Sequence, residues 1–193
     1  MKTGTARGYG ALFITSTVWG TTWVVSKVGV HAMPALQMSA IRQFLAGALF
    51  LIFFLVIKKQ RFPSLPDLLW SMLLGTLMFV FANGLSTWSL NYIPSGFSAL
   101  IGALYPLSVV IIERMFLNIK TINALTLTGL LLGLTGVGIV FYDNAFHSLN
   151  EGFGWGLLLS VIAMLSWSVG TVLIMRKKTG INPYHSTGWQ MFF

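Results

Sequence analysis

Lys27 and Arg42 lie inside two long apolar runs, Ala11–Val30 and Met38–Ile57. A cation at the centre of a bilayer costs about 3 kcal/mol or more, so such a residue faces a cavity or a partner. Near the end of a span the cost falls, because the side chain can snorkel to the interface. Both readings stay open for Lys27 and Arg42, and both residues are candidates for lining a substrate path. In the first run Thr15, Trp19, Thr22, Trp23 and Ser26 recur three and four residues apart, which puts them on one helical face. We expect Trp19 and Thr22 to line a cavity suited to a moderately polar molecule, and Thr15 to serve helix packing. Asn83 and Thr87 stand one turn apart in a third run. An amide there must find a partner, on another helix or on substrate. Tyr105 precedes Pro106 in a fourth run; proline lacks an N–H, which frees the Gly102 carbonyl towards a cavity or leaves a kink that only fits the bundle.

Other chemistry lacks support. Asp67, Glu113, Asp143 and Glu151 fall near or beyond the ends of apolar runs, with Glu113 and Arg114 expected as a pair at one end. His31, His147 and His185 fall in separate predicted loops, and no phosphate-binding glycine loop or metal-binding pair occurs. The chain has no cysteine, which removes disulfides and thiolate sites. No cofactor and no metal is expected, and an intramembrane enzyme is the weakest reading.

The elements that would carry these residues follow from composition. Of 193 residues, 55% are hydrophobic and 8% are charged, against about 25% charged in soluble domains. Mean hydropathy is +0.80. A spanning helix needs about 20 apolar residues. Six runs qualify: Ala11–Val30, Met38–Ile57, Leu68–Leu90, Phe97–Leu117, Leu125–Tyr142 and Trp155–Met175, with a seventh starting near Ser186. The fold class is therefore all-α, a multi-spanning transmembrane helix bundle.

The net charge of +8 does not point to nucleic acid. Ten of the twelve basic residues cluster at alternate connections: Lys2 and Arg7; Lys58, Lys59 and Arg61; Arg114 and Lys120; Arg176, Lys177 and Lys178. The connections between these clusters, His31–Gln37, Asn91–Ser95 and Asp143–Gly154, have none. This alternation places the basic connections and the N-terminus in the cytoplasm, in a multi-pass protein of the cell membrane. Trp70, Trp155 and Tyr142 are expected in the interfacial belts. Gly129, Gly133 and Gly136 make a small-residue ridge in the fifth run, expected to form a close helix contact.

The chain also repeats itself. Trp19-Gly20-Thr21 with Lys27 and Pro34 in and after the first run is echoed by Trp167, Gly170-Thr171, Arg176 and Pro183 in and after the sixth. Five spans per repeat is odd, so successive repeats enter the membrane in opposite senses. Trp167, the counterpart of Trp19, joins the site candidates.

With these residues, Arg42-Gln43-Phe44, Tyr92, Ser95-Gly96, Tyr105-Pro106, Glu113 and the glycines of the fifth run, the chain resembles the EamA-type transporters of the drug/metabolite transporter superfamily. The resemblance implies ten spans in two inverted five-span repeats, here residues 1–145 and an incomplete second at 146–193. It implies secondary transport by alternating access, with export the expected direction, of small metabolites, amino-acid-like compounds or drugs bound near the midplane. The partners implied are the lipid bilayer and a small-molecule substrate. Small multidrug pumps of that superfamily use a Glu in the first span as a proton relay, and no carboxylate stands there in this chain. With the second repeat incomplete, the expectation is that residues 1–193 do not transport alone. An inactive half-transporter or a membrane scaffold is the alternative, and a homodimer is the assembly that could rebuild a two-part cavity.

Overall fold

The computed structural model describes residues 2–117, 124–147, 151–177 and 180–193. The described residues are helical with short connections: α1 (Lys2–Ala32), α2 (Ala35–Ile57), α3 (Leu65–Ser89), α4 (Ser95–Ala103), α5 (Tyr105–Leu117), α6 (Ala124–His147), α7 (Phe153–Arg176) and α8 (Pro183–Phe192). Four helical segments, Ala35–Ile57, Leu65–Ser89, Ser95–Met115 and Phe153–Arg176, are long and apolar enough to cross a membrane. They coincide with the second, third, fourth and sixth expected runs. The first and fifth runs are also helices, α1 and α6, each longer than the apolar stretch inside it.

Proline punctuates the chain. Pro34 ends α1 and opens α2, Pro94 stands at the cap of α4, and Pro183 is the first residue of α8. A proline there loses nothing, because the first helical N–H groups have no intrahelical acceptor. The start of α8 is three residues earlier than hydropathy alone suggests, fixed by Asn182, whose side chain accepts from Tyr184 N at 2.9 Å. Within the fourth run Pro106 has the expected effect: regular helix stops at Ala103 and resumes at Tyr105, and Leu104 N turns back to Ile101 O at 3.0 Å. Gly152, before α7, has φ +87°. Only glycine adopts this freely, and a Cβ there would stand 2.8 Å from the Tyr92 ring.

The interior is rich in serine. Ser71, Ser89, Ser98 and Ser168 are fully buried, beside Leu74, Leu90 and Ile93. Lipid tails are as apolar as leucine, so helices in a bilayer associate by close packing and interhelical hydrogen bonds. Serine supplies both. Ser89, Ser98 and Ser160 join α3, α4 and α7 in a ring of hydroxyls, with Ser160 donating to Ser89 at 2.9 Å. Ser108 and Ser168 pair between α5 and α7, and Ser71 meets Ser186 between α3 and α8 at 3.3 Å.

Two ends are distinguished by charge. Lys177 Nζ lies 4.5 Å from the centre of the Trp70 ring, so the end of α7 sits beside the start of α3. At the opposite end the Tyr92–Ile93 turn packs on Gly156 at the start of α7. The end of α7 with Lys177 thus shares one end with the start of α3, and the Tyr92–Ile93 turn shares the other with the start of α7. Lys120 and Lys178 lie outside the described residues.

Four expectations change. Gly129, Gly133 and Gly136 do not form a close contact: an added Cβ at each meets nothing within 4 Å. Helical spacing identifies a ridge, but a ridge becomes a contact only if another helix covers it. The close glycine contacts lie elsewhere. A Cβ on Gly47 would stand 2.7 Å from Phe192 N, and one on Gly75 2.5 Å from Gln190 O, because α8 packs into both α2 and α3. Thr15 is exposed rather than packed. None of the three histidines is in a loop: His31 and His147 stand in the last turns of α1 and α6, and His185 is buried in the first turn of α8, accepting from Trp189 Nε1 at 3.1 Å. Glu113 and Arg114 form no end pair, since adjacent helical positions do not face each other.

Candidate functional site

Helices α1, α3, α4 and α7 border a half-open cavity of about 500 Å³, with Arg42 entering from α2 and Tyr105 from the start of α5. This is within the range of about 300–1,000 Å³ usual for small-molecule sites. Two helices present matching stripes to it. From α1 come Trp19, Thr22, Trp23 and Ser26; from α7 come Ser160, Ala163, Met164 and Trp167. Each set is spaced three, one and three residues apart, the pattern of one helical face. Of the seven residues singled out by sequence, Trp19, Thr22, Arg42, Asn83, Tyr105 and Trp167 line this space.

Lys27 does not. Its Nζ donates to the Leu90 carbonyl and, at 3.2 Å, to that of Ile93. These carbonyls lie just past the end of α3, where the last helical acceptors lack partners and the helix dipole is negative. The cation caps that end, the snorkelling alternative realised on protein instead of water.

Arg42 is held at the polar side of the cavity. Its Nη1 donates to Ser26 Oγ at 3.1 Å and its Nη2 to Asn83 Oδ1 at 3.0 Å. Asn83 is fixed in turn, its Nδ2 donating to the Met78 carbonyl at 3.4 Å. That contact depends on the backbone: residues Thr76–Gly84 of α3 form a π-helix, whose wider turn carries Asn83 round to Met78, five residues back. Among the described residues the cavity lining includes no Asp or Glu.

The other side is aromatic. Trp19 and Trp167 lie 6.3 Å apart between ring centres, and Tyr105 meets Trp167 edge-on at 6.5 Å. The Tyr105 hydroxyl is engaged by Thr171 Oγ1 at 2.8 Å. Thr22 returns its hydroxyl to the Val18 carbonyl at 2.8 Å, which satisfies it without a second helix.

Sequence reasoning missed Ser98 and Ser160, which line the cavity floor and belong to the buried hydroxyl ring. The available signal was weak: Gly156, Ser160 and Ala163 are small residues on one face of α7, which carries other small residues elsewhere.

Comparison with known proteins gives consistent results. Residues 6–142 match the EamA-like transporter family. The chain is 35% identical over 165 residues to the uncharacterized inner membrane transporter YedA of Escherichia coli K12, covering 85% of this chain and 52% of that protein. It is 29% identical over 175 residues to the uncharacterized transporter YoaV of Bacillus subtilis, covering 90% and 59%. With Protein PagO of Salmonella typhimurium it shares 30% over 151 residues, covering 77% and 49%. The chain thus spans about half the length of the curated relatives it matches. No solved structure matches it.

Proposed function

Since the chain belongs to the EamA-like transporter family, a membrane-embedded group, we propose that its cavity is the substrate site of a secondary transporter for small metabolites, amino-acid-like compounds or drugs. The carrying observation is the convergence of Trp19, Trp167, Tyr105 and Arg42 on one space of about 500 Å³. Binding there and release on the other side by alternating access require two halves that rock about the site. The repeat supports this reading. Trp19 and Trp167 are repeat counterparts, and their rings meet at 6.3 Å. The second run and the start of the seventh are also counterparts, and α2 packs against α8 with Phe44 stacked on Phe192 at 5.0 Å. Counterparts that touch each other lie next to a pseudo-two-fold axis, as inverted repeats 1–145 and 146–193 would have. Export is the direction we propose.

Reconstitution of the purified chain in liposomes tests the reading. Saturable flux over a panel of amino acids and aromatic drugs, reduced by Trp167→Ala, would support transport and would overturn the expectation that residues 1–193 are insufficient alone. Ligand binding that Trp167→Ala weakens, with no flux, favours the half-transporter. Flux and binding both unaffected by Trp167→Ala would place the substrate elsewhere.

The basic end is proposed to be cytoplasmic, on the charge alternation. The chain has no native cysteine, so Lys59→Cys and Asn91→Cys are clean probes. In sealed cells a membrane-impermeant thiol reagent should label Asn91→Cys and spare Lys59→Cys; the opposite pattern would invert the orientation.

A further inference from the structure

The cavity combines an aromatic side with a cation, and these favour different ligands. Trp19, Trp167 and Tyr105 alone would suit an organic cation, which ring faces attract. Arg42 weighs against it. A guanidinium has five N–H donors and is always charged. Among the described residues two neutral acceptors, Ser26 Oγ and Asn83 Oδ1, take hydrogen bonds from it. Arginine away from bulk water normally has an acidic partner, and the described lining residues provide none. The two bonds hold the guanidinium in place, so little ordering remains to be done when a ligand arrives. Each Nη nitrogen keeps a second hydrogen, and a planar carboxylate matches such a fork.

We propose that the ligand is a small organic monocarboxylate with an aromatic or apolar body, its carboxylate on Arg42 and its body against Trp19 and Trp167. This rests on the cavity being the substrate site. The carboxylate completes the charge that the lining leaves unmatched, and the rings take the body by stacking and apolar contact. A single guanidinium balances a single negative charge, which selects carboxylates over phosphate dianions and over amines.

Calorimetric titration of the purified chain in a neutral detergent at pH 7 tests this with four ligands of one body: phenylacetate, phenylacetamide, phenethylamine and phenyl phosphate. Phenylacetate should bind about tenfold or more tighter than phenylacetamide, a charge-assisted contact against a neutral one. Arg42→Gln should bring the two to equal affinity, and Arg42→Lys should keep part of the difference. Trp167→Ala should weaken both by a similar factor. Equal binding of acid and amide by the native chain would overturn the proposal, as would tighter binding of the amine or the phosphate, or no binding by any of the four. The native comparison decides even if the Arg42 variants do not fold. Acid preference without flux in liposomes would leave this assignment standing and favour the half-transporter; flux without acid preference would support transport and overturn this assignment.

Discussion

Gly47→Leu should unfold the contact between α2 and α8, whereas Gly133→Leu should leave the chain as stable as before. A Cβ on Gly47 would stand 2.7 Å from Phe192 N, 2.9 Å from Met191 C and 3.0 Å from Gly188 O. These are backbone atoms, which cannot rotate aside as a side chain can. Overpacking costs about 1–3 kcal/mol where side chains can give way, and rigid backbone puts Gly47→Leu at about 3 kcal/mol or above. For a chain of this size that is roughly 6–12 °C in melting temperature. Gly75→Leu should behave alike, since its Cβ would meet Gln190 O and Cα. The α8 docking buries Trp189, His185 and Gln190, so its loss should also raise tryptophan exposure in quenching measurements. An unchanged melting temperature for Gly47→Leu would place α8 away from α2; a large loss for Gly133→Leu would show that α6 packs through its glycine ridge after all.

The second large effect concerns the Arg42 network. Neutral hydrogen bonds between membrane helices are worth only about 0.6 kcal/mol on average. Asn83 is different because its oxygen serves a cation, and bonds to charged groups are worth about 1.5–3 kcal/mol. Asn83→Leu leaves the guanidinium with Ser26 as its one protein acceptor. We expect a loss of about 2 kcal/mol, seen as a fall in melting temperature in detergent. Arg42→Leu removes the charge itself. In the double variant the cost of stranding the cation disappears, so the combined loss should be smaller than the sum of the two single losses, with a coupling of about 1 kcal/mol. Strict additivity would mean that the two side chains do not depend on each other.

Lys27 and Arg42 show how far local information reaches. In sequence they are alike: each is a lone cation near one end of an apolar run. Nothing local separates them, because each side chain is long enough to reach either a cavity or a helix end. The structure separates them by what lies within reach. For Lys27 it is the carbonyl end of α3; for Arg42 it is Ser26, Asn83 and the open space beyond. Asn83 itself depends on a π-helical turn that no residue type announces. The glycines repeat the lesson. Gly129, Gly133 and Gly136 have the spacing of a packing ridge and are open, while Gly47 and Gly75, isolated in their helices, are the tight contacts.

The sequence by itself determined the bilayer as solvent, the apolar helices, their proline boundaries, the alternation of basic clusters along the chain and the aromatic-polar stripe of α1. These depend on composition and on spacings within one helix, where the period of 3.6 residues and the cost of an unpaired backbone group leave few alternatives. Tertiary structure decided which stripes face each other: that Trp19 meets Trp167, that Ser98 and Ser160 close the hydroxyl ring, and that Arg42 enters a space with no carboxylate among its described lining residues. Those facts depend on the rotation and depth of each helix against its neighbours. In a bilayer no apolar face is driven inward, so small differences in close packing and a few interhelical hydrogen bonds choose the arrangement.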